Sequence, residues 1–193
     1  MNITKAKYKA IDLLTLAVIL AICEALNALL VSKINWFKTE NYCISLFIPI
    51  VLIVMMRWNG FSAIHAVLAG LIYCACLEAS WQAYLIYAIG NCFILLDLIL
   101  FKIIGKSKIR NSVVFTTIFV LCGYLLAEVG RGLVAVILGN PFSIIISYLA
   151  TDSLSAIIGL IIVLIARKQD GMFEDQILYL TRVQKEKQLE AQQ

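Results

Sequence analysis

The feature that most limits what this chain can become is a run from Ile11 to about Val31 that is apolar almost throughout. About 20 apolar residues cross the hydrocarbon of a bilayer, and similar runs recur to residue 166. On that ruler helices are expected at 11–32, 43–57, 60–78, 82–104, 113–138 and 142–166, with the second short and holding Pro49. They must be helices rather than isolated strands, because backbone groups in hydrocarbon need partners within their own segment. Of the 193 residues, 62% are hydrophobic and 15% charged, against roughly 45–50% and about 25% in soluble domains. The fold class expected is therefore an all-α integral membrane protein with six transmembrane helices. Lysines before the first run imitate a signal peptide, but no small-residue cleavage site follows it, so it reads as a retained helix.

Basic residues set the expected orientation. Lys5, Lys7 and Lys9 precede helix 1, Arg57 separates helices 2 and 3, Lys102, Lys106, Lys108 and Arg110 separate helices 4 and 5, and Arg167 and Lys168 follow helix 6. The opposite loops at 79–81 and 139–141 carry none, and only the loop at 33–42 is mixed. The positive-inside rule then places both termini in the cytoplasm. The net charge of +4 mostly reflects this asymmetry and does not suggest nucleic-acid binding. Residues 1–168 form the membrane domain, and 169–193 a cytoplasmic tail. In the tail Phe173, Ile177, Leu180 and Gln184 share a helical face, with Leu178 beside it, predicting a short amphipathic helix whose last ten residues fray.

Ionisable groups inside spans are costly and usually face the bundle interior. They are Glu24, His65, Asp97, Glu128, Arg131 and Asp152, joined by Asn27 and Asn91. Glu128 and Arg131 lie three apart on one helical face. They form either a self-neutralising ion pair, or a fork in which Glu128 orients Arg131 toward a ligand carboxylate, or a contact to a partner protein. Asn91 and Asp152 belong either to the same cavity or to interhelical hydrogen bonding. Trp36, Phe37, Tyr42, Trp81 and Tyr84 suit an interfacial aromatic belt or a lid over an outward-facing site.

Enzyme chemistry leaves no mark. Gly105-Lys106-Ser107 imitates the end of a phosphate-binding loop, but Leu100 stands where its earlier glycine belongs, and no His-Glu-x-x-His or Gly-x-Ser-x-Gly occurs. Six cysteines sit in or beside apolar runs without zinc-ligand spacing and read as small buried hydrophobes. No metal, cofactor or catalytic residue is expected.

Ala17, Ala21 and Ala25 recur every four residues along helix 1, a spacing that permits close helix approach. With Asn59-Gly60-Phe61-Ser62-Ala63 opening helix 3, Gly70 further on, and Gly90-Asn91 in helix 4, residues 10–168 resemble an S-component. S-components are the substrate-binding membrane subunits of bacterial energy-coupling-factor (ECF) importers, a class of vitamin ABC transporter. The resemblance implies capture of a vitamin near the outer face of a plasma-membrane protein. It also implies that the Ala17, Ala21 and Ala25 strip packs on a membrane T subunit joined to two cytoplasmic ATPases. By position Trp36, Asn91, Glu128, Arg131 and Asp152 map to the substrate side. A single arginine would suit a carboxylate-bearing vitamin such as pantothenate. The rival expectations are a small membrane enzyme acting on lipid-like substrates and a stand-alone secondary transporter or interaction subunit.

Overall fold

Every regular element of the computed structural model is helical among the described residues, which are 5–35, 37 and 42–190. In chain order the helices are α1 (Lys5–Lys33), α2 (Phe47–Trp58), α3 (Ser62–Cys76), α4 (Trp81–Gly90), α5 (Leu98–Ile103), α6 (Lys106–Asn111), α7 (Val113–Ile137), α8 (Ile144–Thr151), α9 (Ser153–Ala166) and α10 (Gln176–Glu190). Two 3-10 stretches, Asn59–Phe61 and Asn91–Asp97, join α2 to α3 and α4 to α5. Trp36 lies outside the described residues.

Four helical stretches are long and apolar enough to cross a membrane: Lys5–Lys33, Phe47–Cys76, Trp81–Ile103 and Val113–Ile137. The pair α8 and α9, bent by 47°, makes a fifth if counted as one span. The expectation of a helical membrane protein therefore stands, while the count by length and apolarity is four to five rather than six.

The difference from six lies in Phe47–Cys76. Asn59 takes φ 53° and ψ −126°, and the chain reverses there. Arg57, in the last turn of α2, and His65, in the first turns of α3, bond to neighbouring residues of α1, at Asp12 and Leu13 Oxygen respectively. Beyond them Ser45, just before α2, lines the same cavity as Ala69 and Gly70. At 1.5 Å per residue, α2 is about 18 Å long and α3 about 22 Å, so neither arm alone matches the ~30 Å of hydrocarbon. All twelve residues of α2 are buried, enclosed by α1, α3, α7 and α9. Pro49 sits in its first turn, where the missing N–H has no helical partner to lose, so it opens the helix and does not kink it. The predicted start at residue 43 is corrected to Phe47.

Apolar side chains also cover the outside. Leu14, Val18, Ile22, Leu26 and Leu29 form an exposed face on α1, suited to lipid and to nothing aqueous. Ala17, Ala21 and Ala25 are half-buried along one margin of that face.

One end of the bundle, the basic end, gathers Lys9, Arg57, Lys106, Arg110 and Arg167. Asp12 accepts both arms of Arg57, Nε at 2.9 Å and Nη2 at 2.6 Å. The tail is tied to this end by hydrogen bonds. Arg57 also donates to the Gly171 carbonyl, Lys106 Nζ to Asp175 at 2.7 Å, Arg110 to Glu174 and Tyr8 to Gln176 at 3.0 Å. The expected apolar tail face is corrected. Phe173 precedes α10 and is fully buried against Phe119, whereas Ile177 and Leu178 are exposed. The helix also runs on to Glu190 and does not fray at residue 184. Arg182, with Glu174 foremost beside it and Asp170 next, is held above the ordinary arginine pKa.

Candidate functional site

Three interruptions of helical structure converge at one place, in the half of the bundle away from the basic end. The segment before α2 is non-helical at Tyr42–Leu46, α4 tightens into a 3-10 stretch at Asn91, and Asp152 breaks α8 from α9. Backbone without helical partners survives in an apolar interior only when protein groups satisfy it. Here Ile44 N–H donates to Asn27 Oδ1 at 3.1 Å, Ser45 N–H to Ser155 Oγ at 2.9 Å, and Cys43 N–H to the Thr151 carbonyl at 3.2 Å. Ser155 Oγ donates in turn to the Cys43 carbonyl at 3.2 Å. Ser45 Oγ donates to Glu24 at 2.7 Å and accepts from Phe47 N–H at 3.1 Å. Asn27 and Ser155 are thus clamps on a strand-like segment.

Arg131, 3% exposed, is the centre of the site. Its Nη1 donates to both oxygens of Glu128 at 2.9 and 3.0 Å and to Asp152 Oδ2 at 2.5 Å. Its Nε donates to Asn91 Oδ1 at 2.7 Å, and Asn91 Nδ2 donates to the Ala66 carbonyl at 3.1 Å. The guanidinium lies 4.9 Å from the Tyr87 ring centre and 5.2 Å from that of Phe47, within cation–π range. Only Nη2 makes no hydrogen bond among the described residues. A Cβ on Gly90 would lie 2.5 Å from Arg131 Cα, and one on Gly130 would lie 2.5 Å from the Gly90 carbonyl oxygen. Glycine at both positions is what lets α4 and α7 approach closely enough for Asn91 to reach the arginine.

Two cavities meet here. The inner one is small, lined by Glu24, Asn27, Ser45, Asn91 and Arg131 among others. The outer one, about 320 Å³, is lined by Val31, Phe37, Tyr42, Thr151 and others. Cys43, Tyr73, Tyr87 and Asp152 line both, so the two adjoin, with Arg131 lining the inner one. Tyr73 and Tyr87 pack with ring centres 5.1 Å apart, and neither hydroxyl makes a hydrogen bond among the described residues.

The structure thus brings together Asn91, Glu128, Arg131 and Asp152 from distant parts of the sequence, with Glu24 and Asn27 beside them; Trp36 falls outside the described residues. Of the alternatives for Arg131, the ion pair with Glu128 is present, and Asp152 joins it. Sequence reasoning missed Cys43, Ser45, Tyr73, Tyr87 and Ser155. Their one signal was polarity or a phenolic hydroxyl within an apolar run, a mark shared with lipid-facing residues. Among the described residues no group of three or more His, Cys, Asp or Glu side chains could hold a metal ion. In comparisons with known proteins, no family model, no curated protein and no solved structure matches the chain.

Proposed function

We propose that the chain is the solute-capture subunit of an importer of the ECF type, holding a vitamin-sized molecule in the cavity that ends on Arg131. The observation that carries this reading is that cavity: roughly drug-fragment sized, walled by tyrosines, and floored by a buried polar cluster where three helices are interrupted. Ligand sites in membrane carriers use interrupted helices in this way, because freed backbone groups and buried charges supply directional contacts that lipid cannot. In this reading Asn91, Glu128, Arg131 and Asp152 fix the solute, with Trp36 on the rim. Ala17, Ala21 and Ala25 meet a membrane T subunit, and two cytoplasmic ATPases supply the energy. The chain performs no chemistry itself. It resides in the bacterial plasma membrane with its basic end in the cytoplasm, so the cavity faces outward.

The test is to purify the chain from its own host in mild detergent without added ligand and identify what accompanies it by mass spectrometry. A small molecule near one-to-one, together with a T subunit and two ATPases, is the expected result. A lone protein with no bound solute would sink the proposal.

One observation favours a second reading, a stand-alone proton-coupled transporter. Asp97 is 1% exposed and neither carboxylate oxygen has a hydrogen-bond partner among the described residues, as befits a carboxyl that carries a proton. Uptake that persists without any ATPase would favour it.

A further inference from the structure

Resting on the capture reading, the charges around the cavity bear on what kind of solute it takes. Among the described residues three carboxyl groups stand at the site, Glu24, Glu128 and Asp152, and one cation, Arg131. No other lysine or arginine lines either cavity among the described residues. Glu128 and Asp152 both bond to Arg131 Nη1, so one guanidinium already answers two carboxylates. Glu24, 3% exposed, accepts from the Ser45 hydroxyl, a neutral partner.

A carboxylate entering this cavity would meet carboxyl groups that repel it wherever they are ionised, with Nη2 alone left to receive it. A positively charged nitrogen would instead complete the charge balance and gain the faces of the aromatic wall, where Tyr42 and Tyr73 flank the approach. The remaining Nη2 donor and the Tyr73 and Tyr87 hydroxyls suit an uncharged acceptor on the same molecule. An ordinary self-contained ion pair would need neither the surplus carboxylates nor the unfilled donor.

We infer that the site takes an organic cation: a small ring-bearing amine or ammonium that also carries a neutral hydrogen-bond acceptor. The carboxylates of Asp152 and Glu24 attract the cation, and Arg131 Nη2 donates to the acceptor. The positively charged nitrogen keeps its proton or substituents, and no bond is made or broken.

Three probes of one shape separate the possibilities: 4-(aminomethyl)pyridine, 4-pyridylmethanol and pyridine-4-carboxylate, which are cationic, neutral and anionic at pH 7. Their binding to the purified full-length chain is measured by calorimetry and thermal shift, alongside the Glu24→Gln variant, which retains an oxygen acceptor for Ser45. The expected result is that the ammonium probe binds at least about tenfold more tightly than the carboxylate, a difference of about 1.4 kcal/mol. Glu24→Gln should cut the ammonium's affinity by about tenfold and leave that of the neutral alcohol unchanged. Preference for the carboxylate, or stronger carboxylate binding than ammonium binding in both proteins, overturns the inference but leaves the capture reading standing. Where none of the three binds, the charge of the co-purifying solute decides: a cation upholds the inference and an anion overturns it. Absence of any co-purifying solute overturns the capture reading itself.

Discussion

At the scale of single residues, the arginine cluster is held by mutual dependence. Removing one partner of a buried ion pair leaves the other charge uncompensated and costs about 3–5 kcal/mol. Arg131→Ala should therefore lower stability by that order, while Arg131→Lys, which keeps charge but loses the fork, should recover only part. Thermal unfolding in detergent measures both; an Arg131→Ala protein as stable as the original would mean the carboxylates have other partners. Asp97 behaves oppositely. It lies in apolar packing with Gly123 close to its Oδ2 and no bonding partner among the described residues, so Asp97→Leu, which removes the unpaired polar atoms, should raise stability by about 1–3 kcal/mol. In a chain of this size that is roughly 2–4 °C per kcal/mol. A lower melting temperature would instead assign the carboxylate a bond or an ionised role in the folded state. Such residues were conspicuous in the sequence because charge inside an apolar run is rare. Tyr73 and Tyr87 were not, since a tyrosine at the same spacing serves equally well in an interfacial belt.

At the scale of elements, α4 and α7 are joined by the two facing glycines. Gly90→Ala would drive a methyl into Arg131 Cα and should cost about 1–3 kcal/mol by overpacking, read as an earlier unfolding transition. A neutral result would show that α4 can slide away. The alanine strip on α1 predicts a separable effect. On the proposed capture reading, replacing Ala21 and Ala25 by leucine should abolish co-purification of a T subunit and ATPases while leaving solute binding intact; loss of both would join the coupling and binding faces. The start of α7 and the end of α9 were legible because long apolar runs have clear margins. The break at Tyr42–Leu46 was not. Cys-Ile-Ser-Leu-Phe is as apolar as a helix, and the side chains that hold it open, Asn27 and Ser155, come from far along the chain. The reversal at Asn59 was partly legible through Asn-Gly and Arg57, as was the shortness of the first arm, whereas that of the second was not.

At the scale of the whole molecule, basic side chains crowd one end and the cavity opens toward the other. A cysteine-free chain carrying a single new cysteine at Asn140 should react with a membrane-impermeant thiol reagent in intact cells, and one at Lys168 should not. The reverse labelling would turn the molecule over and make the cavity face inward. The ion pairs that tie the tail to the basic end involve partly exposed groups such as Arg110 and Asp170. Pairs of that kind are weak and salt-sensitive, so the tail should become protease-sensitive in high salt before the bundle loosens.

The enclosure of α2 governs how the protein can be made. Its neighbours Gly123, Gly159 and Gly171 are all translated long after it, so during synthesis the short helix and its Arg57 emerge before the walls that will shelter them exist. A nascent chain halted after α7 would hold an arginine whose Gly171 partner has not been made and a helix without α9 against it, which is a substrate for quality-control proteolysis. The order of translation thus leaves the centre of this protein to be completed by its last third.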